Sequence, residues 1–248
     1  MSGLRLAAGF AIVAISAVIT IILAIPLLPW RVLRIRLCNV YGKLVGPSVL
    51  WVTGARIHFE DRDRINASAP AIYVANHTST LDAFLSIWLC PMNGCGVMKK
   101  ENLKIPFFGW LYVLSGHLVL DRGNHDKAVR ALDRTAELVK RHHVSVWIMA
   151  EGTRSPDGRL QKLKPGFVHL AIQSGLKVVP VVFIDAHKVW PAREQRLIPG
   201  GVTVRVLPPV DTSGWKVEAA QAHADEIHAR FAAALPEPMK PATMAEVA

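Results

Sequence analysis

The sequence predicts an α/β domain, a β-sheet flanked by helices, preceded by a hydrophobic helical segment that anchors the chain in a membrane. From about residue 60 onward, short runs rich in β-branched residues alternate with helical patterns. Before that point, Leu6 to Trp30 contains no charged residue, and this stretch is longer than the roughly 20 apolar residues that cross a bilayer core. The chain has 248 residues, 51% of them hydrophobic, and can therefore bury one sizeable core.

Residues 1–58 are predicted to form the membrane anchor. A cleaved signal peptide would have an apolar stretch of only about 7 to 15 residues before a small-residue cleavage site, whereas this stretch is longer and ends in Pro29-Trp30-Arg31. A second apolar stretch, Leu44 to Phe59, is interrupted by glycine, proline and arginine, which favours a packed or interfacial helix. Two arrangements stay open: one spanning helix, or a helical hairpin in one leaflet.

Flanking charge predicts the orientation of the anchor. Arg31, Arg34, Arg36 and Lys43 follow the apolar segment, and only Arg5 and the amino terminus precede it, so the bulk of the protein is expected on the cytoplasmic face, at the inner membrane in a bacterium. The net charge of +10 indicates an anionic partner. An acidic lipid surface is favoured over nucleic acid, because a hydrophobic anchor is present and neither a dense basic helix nor zinc-finger spacing is found.

Four strands and four helices are predicted in the domain that spans residues 59–235. The strands are Ala71–Ala75, Val144–Met149, Lys177–Ile184 and Val202–Leu207. The helices are Leu81–Leu89, His125–Arg141, Gly166–Ser174 and Lys216–Leu235. Pro180 inside the third strand predicts an edge position or a bulge. Residues 236–248 contain three prolines among small and polar residues, and this composition predicts a disordered tail.

His77 and Asp82 are the candidate general base and its orienting acid. Five residues along a continuous helix place two side chains about 140° apart, so this pair meets only if the chain bends between them. Ser79, with Asp82 three residues later, resembles a capping box and supplies that bend. An imidazole with a reference pKa of about 6.5 accepts a proton at neutral pH, and a carboxylate fixes its tautomer. A helix cap beside a surface histidine explains this segment alone equally well.

The sequence Glu151-Gly152-Thr153-Arg154 follows the strand Val144–Met149 and is typical of anion recognition. Arginine offers a planar fork of donors that matches phosphate, threonine adds a hydroxyl, and glycine allows close approach of the backbone. Glu151 is expected to orient Arg154 or the acceptor. The alternative is that residues 155–158 form an ordinary type I turn and that these residues merely lead into it.

Two further cations are candidates for the same site. Lys100 begins a segment that mixes lysines with a bulky aromatic cluster, which suits a substrate with a charged head and an apolar tail. Arg122 lies in a charged turn after the strand-like run His117 to Leu120. For both, an ordinary basic loop or turn is an equally good explanation. The chain has three cysteines, an odd number, and their spacing matches no paired metal-binding motif. This is typical of a protein in a reducing compartment without disulfides, and no metal site is predicted.

Taken together, these blocks resemble in order and spacing those of the glycerolipid acyltransferase family, and most of all its 1-acylglycerol-3-phosphate (lysophosphatidic acid) acyltransferases. The blocks are Asn76-His77 with Asp82, Lys100 through Gly109, Glu151 through Ser155, and Val179-Pro180-Val181. The resemblance covers roughly residues 60 to 210. It implies a mixed sheet flanked by helices. One departure is Met149-Ala150, where members often have Phe-Pro before the glutamate.

The resemblance also implies a reaction. A fatty acyl group would pass from acyl-CoA or acyl carrier protein to the free hydroxyl of 1-acylglycerol-3-phosphate, giving phosphatidic acid for phospholipid synthesis, without a metal or redox cofactor. The expected partners are membrane lipids, a lysophospholipid acceptor and an acyl thioester donor, and no nucleic acid. By this resemblance His77 and Asp82 are catalytic, and the acceptor is bound by Glu151, Gly152, Thr153 and Arg154, with Lys100 and Arg122 as further contacts.

Three other functions stay open. An acyltransferase for another lysophospholipid or a lyso-aminolipid would carry much the same blocks. A membrane lipid-binding protein without activity is disfavoured, because His77, Asp82, Glu151 and Arg154 are all present. A nucleic-acid-binding protein would show salt-sensitive binding and would have no need of the apolar amino terminus.

Overall fold

A seven-stranded sheet forms the centre of the protein. The computed structural model describes residues 2–105, 108–120, 125–192 and 194–242. The strands are β1 (Ala55–Glu60), β2 (Ile72–Ala75), β3 (Gly94–Lys99), β4 (Leu118–Leu120), β5 (Ser145–Met149), β6 (Val178–Ile184) and β7 (Gly200–Val206). They lie in the order β1-β7-β6-β2-β5-β3-β4. The pair β6–β7 is antiparallel and the other pairs are parallel, so the predicted mixed sheet is confirmed.

Helices cover both faces of this sheet. They are α1 (Ser2–Ala24), α2 (Arg31–Thr53), α3 (Arg64–Ser68), α4 (Leu81–Leu89), α5 (Phe108–Leu114), α6 (His125–His142), α7 (Gly166–Ser174), α8 (Ala186–Val189) and α9 (Ala220–Ala234). Short 3₁₀ turns cover Ile25–Leu27, Lys100–Lys104, Val217–Ala219 and Glu237–Met239. The helices α4 and α7 have the bounds that the sequence predicts, because both combine apolar periodicity with a clear stop signal.

The central strands are buried on both faces. On β2, Ile72 and Val74 belong to the core beneath α7 and α9, whereas Tyr73 belongs to the core beneath α4, as expected when successive side chains point to opposite faces. Tyr73 stacks on Trp147 of β5 with ring centroids 5.4 Å apart. The sheet therefore forms a rigid support for the loops at its edge.

The first two helices form a hairpin that packs on the domain. α2 reverses the direction of α1, and the Ser2 hydroxyl donates to the carbonyl of Leu197, 3.2 Å away. At the other end of the hairpin, Arg31 Nε donates to the carbonyl of Gly116 at 2.9 Å. Gly54 ends α2 at φ 82° and β1 begins at the next residue. The predicted anchor boundary at 58 therefore falls within a strand, and the helical part of the second apolar stretch ends at Thr53.

Pro180 lies in a central strand, which corrects the prediction of an edge or a bulge. It pairs with Val74 of β2 on one side of β6, and β7 lies on the other side. The Pro180 carbonyl accepts from the N–H of Leu207, 3.0 Å away, just beyond the end of β7. Because N and O of a strand residue point to the same side, the missing N–H faces Leu207, where the β6–β7 ladder ends. The proline therefore removes at most one bond, at the end of this ladder.

The predicted disorder of residues 236–248 is wrong for the beginning of this segment. Met239 is 1% exposed, and its carbonyl accepts from the N–H of Leu160 at 2.9 Å. Residues 243–248 lie outside the described residues. Three strands were not among the four predicted. β1 continues the apolar stretch of α2, β3 contains two glycines, and β4 lies in the run His117 to Leu120, which the sequence showed only as strand-like.

Candidate active site

The turn between β2 and α4 brings His77 and Asp82 together. The Nδ1 atom of His77 lies 3.0 Å from Oδ2 of Asp82. The bend that the spacing requires is present, since β2 ends at Ala75 and α4 begins at Leu81. A carboxylate accepts hydrogen bonds, so Nδ1 carries the proton and Nε2 is left as the basic nitrogen. The His77 side chain is 20% exposed, so the imidazole is partly accessible.

The Asp82 carboxylate is held by the backbone as well as by His77. Its Oδ2 atom also accepts from the N–H groups of Thr78, at 2.6 Å, and Ser79, at 2.7 Å. The Asp82 side chain is 0% exposed. Three N–H donors stabilise the negative charge of this buried group. The predicted capping box is thus present in part, because the acid at the start of α4 reaches back to the N–H of Ser79.

Glu151 lies behind His77 and binds its backbone. Oε1 accepts from the N–H of His77 at 2.7 Å, and Oε2 accepts from the N–H of Gln161 at 3.1 Å. The glutamate is 3% exposed. Burial raises the pKa of its carboxyl to about 8, against the two N–H bonds that lower the pKa, and the charge of Asp82 adds to the rise. This differs from the sequence-based interpretation, in which Glu151 orients Arg154 or the acceptor.

The segment 151–155 is fixed against the segment 77–80 by further bonds. The N–H of Ser155 donates to the carbonyl of His77 at 2.8 Å. Arg154 Nη1 donates to the hydroxyl of Thr80 at 2.5 Å, and the arginine is exposed. Gly152 is buried with φ 83°, a backbone conformation that favours glycine, and Thr153 is exposed. The structure therefore brings the two predicted motifs into direct contact.

Of the two further predicted cations, Lys100 belongs to the described part of the chain. Lys100 opens the 3₁₀ turn that follows β3. Because β3 runs parallel to β5, and β5 to β2, Lys100 leaves the sheet at the same edge as His77. Arg122 lies outside the described residues.

Several supports of the site were not found in the sequence. The side chain of Asn76 forms two hydrogen bonds with the backbone of Phe183, at 2.9 Å and 2.7 Å, and so fixes the exit of β2. The Ser79 hydroxyl donates to the carbonyl of Trp190 at 2.7 Å. The asparagine directly after a buried strand was a usable signal. No sequence signal indicated the contact between Ser79 and Trp190, because these residues are 111 positions apart.

A mostly apolar cavity of about 80 Å³ lies between α2, α4, α5 and the sheet. Ser86, one turn after Asp82, belongs to its lining. The other lining residues are Cys38, Asn39, Tyr41, Ile87, Cys90, Gly96, Leu111, Tyr112, Ser115, His117 and Trp147. They come from five elements, so periodicity within one element could not reveal the cavity. In the described part of the chain, no group of three or more His, Cys, Asp or Glu residues could hold a metal ion.

Comparison with known proteins decides the family. The Acyltransferase family model matches residues 56–184. The 1-acyl-sn-glycerol-3-phosphate acyltransferase of Limnanthes douglasii is 39% identical over 232 residues, which are 94% of this chain and 82% of that protein. The chain belongs to the Acyltransferase family. The protein of the same name from Cocos nucifera is 36% identical over 241 residues, 97% of this chain and 78% of that one.

A solved structure supports the fold of this acyltransferase. The crystal structure of the 1-acyl-sn-glycerophosphate (LPA) acyltransferase PlsC from Thermotoga maritima matches with a TM-score of 0.68 at 24% identity. The match covers 92% of this chain and 94% of that chain. The acyltransferase also associates with membranes. Within the described residues, Ser2–Leu27 is the helical stretch long and apolar enough to cross one.

Proposed function

We propose that this acyltransferase moves a fatty acyl group from a thioester to the free hydroxyl of 1-acylglycerol-3-phosphate, which gives phosphatidic acid. The relatives from Limnanthes douglasii and Cocos nucifera carry this activity in their names. The observation that carries the proposal is the His77–Asp82 pair, held at the edge of the sheet next to the exposed cation of Arg154. A base beside a phosphate-binding cation is what a hydroxyl acceptor with a phosphate group requires.

In the proposed reaction His77 is the general base. Its Nε2 takes the proton of the acceptor hydroxyl while the oxygen attacks the carbonyl carbon of the thioester. The C–O bond forms, the C–S bond breaks, and the leaving sulfur takes up the proton from His77. Asp82 holds the imidazole through Nδ1 and stabilises the imidazolium that forms. The step needs no covalent acyl-enzyme, and neither a metal nor a redox cofactor.

Arg154 is the proposed contact for the acceptor phosphate. Its bond to Thr80 holds the guanidinium beside the His77 segment, and an arginine fork binds phosphate with two donors at once. Thr153 and the backbone at Gly152 would add donors. Lys100 and Arg122 would supply further positive charge. Glu151 serves the same site indirectly, because both of its oxygens accept from backbone N–H groups.

The donor is proposed to be acyl-CoA or acyl carrier protein, with the acyl chain in the apolar cavity beneath α4. Ser86, in the lining of this cavity, donates to the carbonyl of Asp82, 2.6 Å away. The cavity therefore lies against the helix that carries the acid. With a volume of about 80 Å³ it would hold part of a hydrocarbon chain.

The proposed site faces the cytoplasm, as the positive residues after α1 indicate. Both ends of the hairpin of α1 and α2 contact the domain, through Ser2 at one end and Arg31 at the other. This favours a hairpin that lies in one leaflet over a helix that crosses the bilayer. The domain would then sit on the membrane surface where its lipid substrate resides.

The test is thioester-dependent acylation by the detergent-purified protein across a panel of lysophospholipids. His77→Ala is expected to abolish turnover, and His58→Ala, which changes an exposed histidine of β1, is the matched control. Transfer to lysophosphatidic acid that is lost only in the first variant supports the proposal. Transfer only to another acceptor would support His77 as the base but would assign a different substrate. Near-normal turnover of His77→Ala would overturn the mechanism.

A further inference from the structure

We propose that a polar cleft between α2 and the turn from β1 to α3 binds a phosphate group, carried by a lipid headgroup or free in solution. The cleft has a volume of about 200 Å³ and is lined by Lys43, Arg62, Asp63, Ile65, Asn66 and Leu89. It lies at the carboxyl end of α4, whereas Asp82 lies in the first turn. At about 1.5 Å per residue, the seven steps from Asp82 to Leu89 separate the two sites by roughly 10 Å along the helix. The cleft is thus separate from the proposed active site.

Arg62 supplies one positive charge to this cleft. Its guanidinium lies over the rings of Phe59, 4.5 Å from the centroid, and Trp88, 5.0 Å from the centroid. The neighbouring acid, Asp61, is paired with Arg64 at 2.7 Å. In the ranges that the structure describes, no carboxylate forms an ion pair with Arg62. Contacts with ring faces fix the cation in place and leave its N–H donors available for an anion.

Lys43 supplies the second positive charge. Its Nζ donates to the carbonyl of Trp88 at 2.6 Å, which uses one of the three donors of the ammonium group. Burial lowers the pKa of Lys43, and the charge of Arg62 lowers it further. Trp88 therefore holds both cations, one through its carbonyl and one through its ring. An anion between them would relieve their mutual repulsion.

The local charges leave a place for an anion. The carboxyl end of a helix carries about half a negative charge, which does not balance two cations. Asp63 also lines the cleft, but no ion pair joins it to either cation in the described part of the chain. The carboxylate of Asp63 would repel a phosphate group in the cleft, so removal of its charge should strengthen phosphate binding.

The surroundings of the cleft favour a lipid headgroup over free phosphate. On α2, Leu44 is 66% exposed and Trp51 is 82% exposed. Exposed tryptophans are typical of the boundary between membrane and water. A headgroup bound between Lys43 and Arg62 would place its acyl chains beside these apolar side chains.

The experiment is native mass spectrometry of the detergent-purified full chain with dioleoyl phosphatidylglycerol and dioleoyl phosphatidylcholine. The double variant Lys43→Gln/Arg62→Gln should bind phosphatidylglycerol about tenfold more weakly, since charge-assisted bonds to phosphate are lost. Arg62→Gln alone changes an exposed side chain and should show part of this loss. Asp63→Asn should bind the anionic lipid more tightly. Arg230→Gln on α9 is the matched control and should bind like the wild type, and acylation turnover reports that each variant is folded.

Added inorganic phosphate separates the two sources of the ligand. If phosphate alone at millimolar concentration displaces phosphatidylglycerol, the site recognises free phosphate. If displacement fails while the charge variants lose the lipid, the site recognises a headgroup together with its chains. Binding of phosphatidylglycerol that is equal in the wild type, the double variant and Arg62→Gln would overturn the proposal.

Discussion

Glu151→Gln tests whether the buried glutamate positions His77 or binds the acceptor. The two carboxyl oxygens accept from the N–H groups of His77 and Gln161, 2.7 Å and 3.1 Å away. A carboxamide has one accepting oxygen and one donating nitrogen, so in either orientation one buried N–H loses its acceptor. The cost is about 1 to 3 kcal/mol of stability. A shift of His77 by about 1 Å can lower a rate about 100-fold, so kcat should fall about 10- to 100-fold.

The assay is steady-state acylation with the acceptor concentration varied, with Glu218→Gln as the control at an exposed glutamate. A positioning role lowers kcat and leaves the KM for the acceptor nearly unchanged, because Arg154 and Thr153 are untouched. A raised KM with an unchanged kcat would refute this reasoning and would return Glu151 to the role of acceptor ligand.

The same variant changes the pH dependence of stability. Burial raises the pKa of Glu151 from 4.5 to about 8, so between these values the folded state holds a proton that the unfolded state has released. Stability should therefore fall as the pH rises from about 4.5 to 8, by on the order of 5 kcal/mol at 1.36 kcal/mol per unit of pKa shift. In Glu151→Gln this part of the slope should vanish, as denaturant unfolding at several pH values would measure. An unchanged slope would mean that Glu151 is ionised in the folded state at neutral pH.

Three further predictions address other parts of the structure. Asp82→Asn should lower kcat by about 10³- to 10⁴-fold, because a carboxamide cannot hold the imidazole in the same tautomer; a circular dichroism spectrum like that of the wild type would show that the fold is kept. Arg154→Lys should raise the KM for the phosphate-bearing acceptor and leave kcat similar, because a lysine lacks the planar fork; an effect on kcat alone would place Arg154 in the transition state. Met239→Ala should cost about 2 to 5 kcal/mol in denaturant unfolding, whereas no change in the midpoint would favour a disordered tail.

The parts of the fold that local patterns determine could be predicted from the sequence. The bounds of α4 and α7 follow from apolar periodicity and end signals. The bend between His77 and Asp82 follows from the capping pattern alone. By contrast, β3 is held by its neighbours β4 and β5, and its Gly94 and Gly96 give no strand signal. Long-range pairing decides such strands, and a single sequence does not show it.

Glu151 shows the same limit within the site. Its residue type and its place after a strand indicated a functional role, but its partners are the backbone N–H groups of His77 and Gln161. Backbone partners leave no mark in the pattern of side chains. The acid was therefore assigned to the substrate, although its contacts are with the chain itself.

The register between β2 and β5 explains how motifs so distant in sequence form one site. Ala75 pairs with Met149, and His77 and Glu151 each follow two residues later. Two parallel strands in this register carry both residues out of the sheet side by side, which permits the 2.7 Å bond between His77 N–H and Glu151. The departure Met149-Ala150 from the usual Phe-Pro leaves this register intact, because backbone pairing fixes it. The carbonyl of Ala150 also accepts from the N–H of Lys164 at 2.9 Å, so the strand exit is held without a proline.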